Sequence, residues 1–143
     1  MREESYPMPS FVTLAVADVH ASASWYQSVL GFRLVFSLPG PGGAPVMSHL
    51  RFARYADLLL AASRTPATAP RGGGVQLNFT LPAGALDEFA AHAGSEWHEC
   101  QGPVAQPWNA REFYVTDPDG YRLAFIEQAD AGKSFDEVIE GLG

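Results

Sequence analysis

The sequence predicts an α+β fold made of two tandem β-α-β-β-β modules. Each half has stretches in which apolar residues alternate with other residues, as in strands, and one stretch with apolar residues at helical spacing. The apolar pattern also repeats at a fixed interval, as expected for a duplicated unit. Five residues of the second half lie 63 positions after a counterpart in the first: Val75 after Val12, Leu77 after Leu14, Phe79 after Val16, Phe89 after Tyr26 and Gly94 after Gly31.

The first module begins with a strand at Phe11 to Val16, where the residues alternate at period two. Asp18 is a typical N-cap residue, and it predicts a helix from Val19 to Leu30 with Gly31 as the C-terminal stop. Three more strands are predicted at 32–38, 46–53 and 57–62.

A linker at 64–73 separates the modules, because this stretch is rich in Pro, Ala, Thr and Gly and has no periodicity. We expect one domain over residues 1–143, with module 1 at about 10–63 and module 2 at about 74–128. A short C-terminal helix is predicted at 134–140. It could pack on the domain, cover a cleft or contact a second subunit.

In the second module, the helix is expected to have Pro82 in its first turn and to stop at Gly94. A strand is predicted at 96–101 and a loop at 102–110. The last two strands form a hairpin whose turn is Asp117 to Gly120. There the Asp side chain can bond to the backbone, Pro118 favours a type I turn, and the glycine accepts a left-handed conformation.

Composition narrows the classes of function. Nine basic and sixteen acidic residues give a net charge of -7, which argues against nucleic acid as a partner and favours neutral or cationic ligands. A single cysteine excludes an internal disulfide and a cysteine-based zinc site. The chain has neither a run of eighteen apolar residues nor a signal-peptide pattern at its start, so we expect a soluble cytoplasmic protein with no membrane partner.

Several motifs carry a family resemblance. These are Asp18-Val19 entering the first helix, Trp25-Tyr26, Leu30-Gly31-Phe32, and Asp117-Pro118-Asp119-Gly120 in the hairpin turn. Together with the repeat they make residues 11–128 resemble the vicinal oxygen chelate superfamily, which includes glyoxalase I, extradiol dioxygenases and bleomycin-resistance proteins. The resemblance implies that each module curls a mixed four-stranded sheet around a cleft, with the helices outside.

Within that superfamily the chain is most similar to the bleomycin-resistance proteins. The similarity lies in Leu86-Asp87-Glu88-Phe89, in Gly102-Pro103, and in Gln106-Pro107-Trp108 followed by Arg111-Glu112-Phe113. It implies an acidic, metal-free homodimer that sequesters a bulky cationic drug without altering it, and that needs no cofactor.

The enzymes of the superfamily bind a divalent metal through four strand positions. The resemblance places these at Phe11, Leu59, Gly74 and Ala124 in this sequence, and none of the four side chains can ligate a metal. We therefore expect neither metal ligands nor catalytic residues of the usual kind.

The faces opposite the heavily apolar ones should line the cleft, which gives a set of candidate ligand-binding residues. His49 is the histidine best placed for this set, the alternative being an exposed strand histidine. Trp108 could stack on a flat ligand or anchor its loop under the hairpin. The complete set is Phe11, Thr13, Met47, His49, Leu59, Gln76, Asn78, Trp108, Glu112, Tyr114 and Ala124.

The leading functional hypothesis is metal-independent binding and sequestration of a bulky small molecule, such as an antibiotic of bleomycin or intercalator type. The first alternative is a glyoxalase-like lyase, isomerase or dioxygenase with an unconventional metal site. The second is a cofactor-free enzyme that uses Glu112 or Tyr114 as an acid or base.

Overall fold

Each half of the chain forms its own four-stranded mixed sheet in the computed structural model, which describes residues 8–143. The chain divides into two compact units between Ala69 and Pro70, within the predicted linker. Each unit has the element order β-α-β-β-β, and a short helix follows the second. The predicted fold class is therefore confirmed.

The first unit holds a sheet of strand order β1-β4-β3-β2, in which β1 runs parallel to β4 and the other neighbours are antiparallel. A single turn of 3-10 helix at Pro41–Gly43 joins β2 to β3. The elements are β1 Phe11–Val16, α1 Val19–Leu30, β2 Arg33–Pro39, β3 Pro45–Ala53 and β4 Ala56–Ala62.

Both ends of α1 follow from local chemistry that the sequence already shows. An Asp18 carboxylate oxygen accepts a hydrogen bond from the Ala21 amide at 2.9 Å, which satisfies one of the donors left over at a helix start. Gly31 ends the helix in the left-handed conformation, with φ of 71°. The predicted helix bounds are confirmed.

The core of the first unit lies between α1 and one face of the sheet. Alternate residues of β1, β3 and β4 point to this face, and each fully buried leucine contributes roughly 1.5–3 kcal/mol to folding. The buried set comprises Leu14, Val16, Tyr26, Leu30, Leu50, Leu58 and Leu60.

The second unit repeats the arrangement with a sheet of order β5-β8-β7-β6, in which β5 is parallel to β8. The phenyl ring of Phe89 on α2 packs on Phe125 of β8, with ring centroids 4.4 Å apart, and on Phe113 of β7 at 6.3 Å. The elements are β5 Gln76–Thr80, α2 Leu86–Glu96, β6 Cys100–Gln106, β7 Ala110–Thr116, β8 Arg122–Gln128 and α3 Phe135–Leu142.

Three boundary predictions for the second unit are wrong: the extent of β6, the end of α2, and the placing of Pro82 in the first turn of α2, which begins only at Leu86. The sixth strand begins at Cys100 and includes most of the stretch predicted as a loop, because residues beyond Gly102-Pro103 resume pairing with β7 after a register shift. A Gly-Pro pair usually marks a turn, but here it forms an irregularity inside a strand. Gly94 does not stop α2, which continues to Glu96. The Trp97 amide then bonds to the Ala93 carbonyl.

The start of α2 is capped from another strand. Pro82 lies in a turn before the helix, and Ala85 at the cap position has no side chain that could accept a hydrogen bond. The carboxylate of Glu127 on β8 replaces it, accepting from the Gly84 amide at 2.9 Å and the Leu86 amide at 3.0 Å. A negative charge is also favourable at a helix N-terminus.

Arg111 on β7 extends this contact to the helix surface. Its guanidinium donates to Glu127 at 3.0 Å and to both carboxylate oxygens of Asp87, at 2.8 and 3.2 Å. The hydrogen bond from Arg111 lowers the pKa of Asp87, and the same bond raises the pKa of Arg111. Asp87, Arg111 and Glu127 therefore link α2 to β7 and β8.

The hairpin turn matches its prediction, and the predicted C-terminal helix is present as α3. Asp117 accepts from the amides of Asp119 and Tyr121, each at 2.9 Å, and Gly120 has a φ of 99°. A Cβ at Gly120 would also lie only 2.6 Å from the Cβ of Pro70. Both the positive φ and the lack of space therefore require glycine. Ser134 caps α3 by accepting from the Glu137 amide.

Within residues 8–143, no helix is long and apolar enough to cross a membrane.

The capping role of Glu127 predicts that Glu127→Gln destabilises the protein. An amide cannot satisfy two helix amides and a guanidinium as the carboxylate does, so we expect a loss of about 1–3 kcal/mol in the free energy of unfolding. Urea unfolding measures it. The matched control is Glu137→Gln on the exposed side of α3, and equal stability of the two variants would contradict the assignment.

The lowered pKa of Asp87 predicts a specific acid dependence. The stabilisation is present above the ordinary carboxylate pKa and is lost as the pH falls through the lowered folded value. The stability difference between wild type and Asp87→Asn should therefore shrink below about pH 4. Urea midpoints between pH 2 and 7 test this. The difference should be independent of pH when Arg111→Gln is already present.

Candidate functional site

The second sheet has one face turned away from α2, and five of the predicted ligand-binding residues lie on it. Cross-strand register fixes the arrangement: Asn78, Ala124 and Tyr114 are paired in one row, and Glu112 is paired with Ile126 in the next. We call this surface the polar face. Its main members are Gln76, Asn78, Glu112, Tyr114, Arg122 and Ala124.

Glu112 organises the centre of the polar face. Its carboxylate is buried and accepts from the Trp108 indole N–H at 2.7 Å and from the Tyr114 hydroxyl at 3.2 Å. The Gln106 amide donates to the same hydroxyl at 2.9 Å. Both oxygens of Glu112 are therefore engaged by neutral donors, and the carboxylate fixes the positions of two aromatic rings.

Trp108 takes the loop-anchoring role, one of the two that the sequence left open. Its edge is tied to Glu112, so it anchors the loop, yet 48% of the residue remains exposed. The next residue, Asn109, has a φ of 61° and exchanges two 2.8 Å hydrogen bonds with the backbone of Asp130. This contact holds the segment before α3 against the start of β7.

A groove of about 610 Å³ lies between the Trp108 end of the second sheet and α3. The apolar side of α3 faces it, and no residue of α3 is buried. Phe135 is the most exposed of these residues, at 78%. The principal lining side chains are Trp108, Ile126, Phe135, Val138, Ile139 and Leu142. A volume of this size accommodates a drug-sized molecule.

Gln76 and Asn78 hydrogen bond to each other and to an arginine. The Gln76 amide nitrogen donates to Asn78 at 2.9 Å, and its oxygen accepts from Arg122 Nε at 2.8 Å. The Arg122 guanidinium lies 4.6 Å from the centroid of the Tyr114 ring. Arg122 did not stand out in the sequence, because alternation assigns it to a face without saying what it contacts.

Ala124 is the most enclosed member of the predicted set. It is 0% exposed, between Asn78 on one side and Tyr114 on the other. It therefore forms part of the floor of the polar face, under larger neighbours.

The first unit brings the other five predicted residues onto one face of its own sheet. Thr13, Leu59 and His49 are paired across three strands. Phe11 is paired with Asp57, and Met47 with Ala61.

His49 is buried at 8% exposure, so the alternative of an exposed strand histidine is wrong. Its Nε2 lies 2.9 Å from the Asp57 carboxylate, which also accepts from Arg51 Nε at 2.6 Å. The Asp57 side chain is fully buried. Sequence reasoning missed Asp57 as a partner; the available signal was an acid and an arginine in strands predicted to be adjacent.

A family model for the Glyoxalase/Bleomycin resistance protein/Dioxygenase superfamily matches residues 9–125. The chain belongs to this superfamily. No match was found among curated proteins. The predicted resemblance is confirmed at the level of the family.

Several solved structures share the fold of this superfamily member. TioX from Micromonospora sp. ML1 is 22% identical with a TM-score of 0.65, and the match covers 82% of this chain and 96% of TioX. TnmS3, an antibiotic binding protein from Streptomyces sp. CB03234, is 22% identical with a TM-score of 0.65, over 90% and 99% of the two chains. A glyoxalase-related enzyme from Clostridium phytofermentans is 16% identical with a TM-score of 0.66, over 83% and 93%.

The four positions to which the resemblance assigns metal ligands hold side chains that do not fit a metal. Phe11, Leu59, Gly74 and Ala124 offer no imidazole, carboxylate, thiolate or amide side chain. Across residues 8–143, no three His, Cys, Asp or Glu side chains are grouped to hold an ion.

The contacts of Glu112 predict the effect of Glu112→Gln. The amide group would place an N–H against the indole N–H or the hydroxyl, so the variant should lose about 1–3 kcal/mol of stability and release the Trp108 edge. Urea unfolding and a red shift in tryptophan emission, absent in a Trp108→Phe background, measure the two effects. Glu99→Gln on an exposed residue is the control. A variant with unchanged stability and an unchanged emission spectrum would contradict both contacts.

Proposed function

We propose that this superfamily member binds a bulky, flat and largely apolar small molecule in the groove beside α3 and holds it without chemical change. An antibiotic of bleomycin or intercalator type is the leading candidate. The observation that carries the proposal is the groove of about 610 Å³ lined by Trp108, Ile126 and the apolar side of α3.

The groove has the composition of a binding site for a flat molecule. Trp108 presents a half-exposed ring whose edge is already fixed by Glu112, so little side-chain freedom remains to be lost on binding. Stacking on such a ring contributes roughly 0.5–1.5 kcal/mol beyond burial. Phe135 and Ile139 supply apolar area on the opposite wall.

Charge supports a ligand with a cationic group near Trp108. The Glu112 carboxylate is bonded by neutral donors, and the whole chain carries a net charge of -7. The fold is shared with TnmS3, which is described as an antibiotic binding protein. Because the four metal positions of the superfamily lack ligating side chains, we propose that binding is independent of metal and cofactor.

We also propose that the protein acts as a cytoplasmic homodimer without a nucleic acid partner. The edge strand β2 exposes three apolar side chains, Leu34, Phe36 and Leu38, and unpaired apolar edges favour association. Size-exclusion chromatography with light scattering tests the dimer.

Binding is tested by calorimetry and tryptophan quenching against a panel of bleomycin-type and intercalating antibiotics. We expect Trp108→Ala to weaken binding of the best ligand about tenfold, because it removes the stacking surface. Trp108→Phe keeps an aromatic face and should lose less.

The proposal would be contradicted if no compound bound with a dissociation constant below the millimolar range. Mass spectrometry of the recovered ligand distinguishes sequestration from chemistry. A released product would favour the enzymatic alternative, in which Glu112 or Tyr114 acts as an acid or base.

A further inference from the structure

We infer that Arg122, with Gln101 and Thr116, forms a subsite for a carboxylate group carried by the ligand. The inference rests on the proposed function, because Arg122 lies on the same polar face as Glu112 and Tyr114. This subsite would bind a negatively charged group of the ligand, whereas a cationic group is proposed to lie near Trp108. The subsite is a different pocket from the groove beside α3.

The guanidinium of Arg122 is held in place before any ligand arrives. It lies 4.6 Å from the centroid of the Tyr114 ring, and its Nε donates to Gln76 at 2.8 Å. The Tyr114 ring is itself fixed, because its hydroxyl bonds to Glu112 and Gln106. A planar arginine stacked on an aromatic ring loses little freedom when it forms further hydrogen bonds.

The side-chain amides of Gln76 and Asn78 determine which N–H groups of Arg122 remain available to a ligand. Gln76 uses its nitrogen on Asn78 and its oxygen on Arg122 Nε. Among residues 8–143, no oxygen accepts from the two terminal amino groups of Arg122. Those groups form the fork that binds a carboxylate with two parallel hydrogen bonds. Gln76 and Asn78 therefore position Arg122 and need not contact the ligand.

A pocket of about 320 Å³ opens beside this fork. Thr116 is paired directly with Arg122, and Gln101 is paired with Tyr114, so a hydroxyl and an amide stand next to the guanidinium. Both groups can donate to a carboxylate oxygen.

Two groups that can carry negative charge, the Cys100 thiol and the Glu99 carboxylate, also line this pocket. Burial raises the pKa of the Cys100 thiol, which donates to the Trp97 carbonyl at 3.5 Å, so no thiolate competes with an anion at neutral pH. The Glu99 carboxylate is half-exposed and lies 3.5 Å from His98. Water screens a charge in that position, whereas Arg122 presents its donors to the pocket.

The test is an NMR titration of the full-length ¹⁵N-labelled protein with sodium benzoate at constant ionic strength. The signals followed are the Gln101 side-chain amide and the Thr116 backbone amide. We expect saturable shifts with benzoate and none with benzamide, its neutral counterpart. Equal shifts with both compounds would overturn the proposal, and so would saturation by inorganic phosphate without saturation by benzoate.

Variants distinguish binding by the two terminal amino groups of Arg122 from a general effect of positive charge. Arg122→Gln should weaken benzoate binding at least about tenfold, and Arg122→Lys should weaken it less, because an ammonium keeps the charge without the fork. Arg54→Gln is the matched control, since Arg54 also stacks on a tyrosine, with its guanidinium 4.7 Å from the Tyr55 ring centroid, but lines neither pocket. An equal loss in Arg54→Gln would refute the subsite.

The result is distinguishable from that of the antibiotic panel, because benzoate is followed by the NMR signals of Gln101 and Thr116, whereas the panel is followed by calorimetry and tryptophan quenching. Binding of an antibiotic without benzoate would remove only the carboxylate subsite. Binding of benzoate with no antibiotic bound would remove only the proposed sequestration.

Discussion

The carboxylate of Glu127 is the contact on which the second unit depends. It caps α2 from β8 and receives Arg111 from β7, so one side chain sets the position of the helix relative to two strands. With α2 fixed on one face of the sheet, the opposite face is free to carry polar side chains. Strand alternation separates the packed face from the polar face, and this buried acid fixes α2 on the packed one.

On the polar face, most polar groups bond to one another. Glu112 fixes Trp108 and Tyr114, and Gln76 fixes Arg122 over the Tyr114 ring. The side chains left with unused capacity are an aromatic face and a guanidinium fork. Fixed surfaces of this kind reduce the entropy lost on association, which supports the small-molecule binding that we propose.

The sequence predicted most of the fold because local signals agreed with the final packing. Asp18 and Gly31 both cap α1, and alternation assigned the strand faces correctly. The start of α2 and the extent of β6 could not be predicted. The first depends on Glu127, 41 residues away from Leu86, and the second on pairing across the Gly102-Pro103 irregularity.

For the candidate site, the sequence could predict only which residues share a face of the sheet. Period-two alternation placed Gln76, Asn78, Glu112 and Tyr114 together, yet it could not show that the amides bond to Arg122. Asp57 beside His49 was missed for the same reason. Membership of a face is a property of local sequence, whereas hydrogen-bond partners are set by side-chain geometry across strands.

The attachment of α3 has a consequence for how selective the groove is. One wall of the groove is a helix without a buried residue, joined to the sheet through the Asn109–Asp130 contact at its entry. Moving that wall disturbs no core packing, so the width of the groove can change at small free-energy cost. For the proposed ligand, one fixed aromatic wall and one wall that can shift would favour a range of flat molecules over a single molecule of fixed outline.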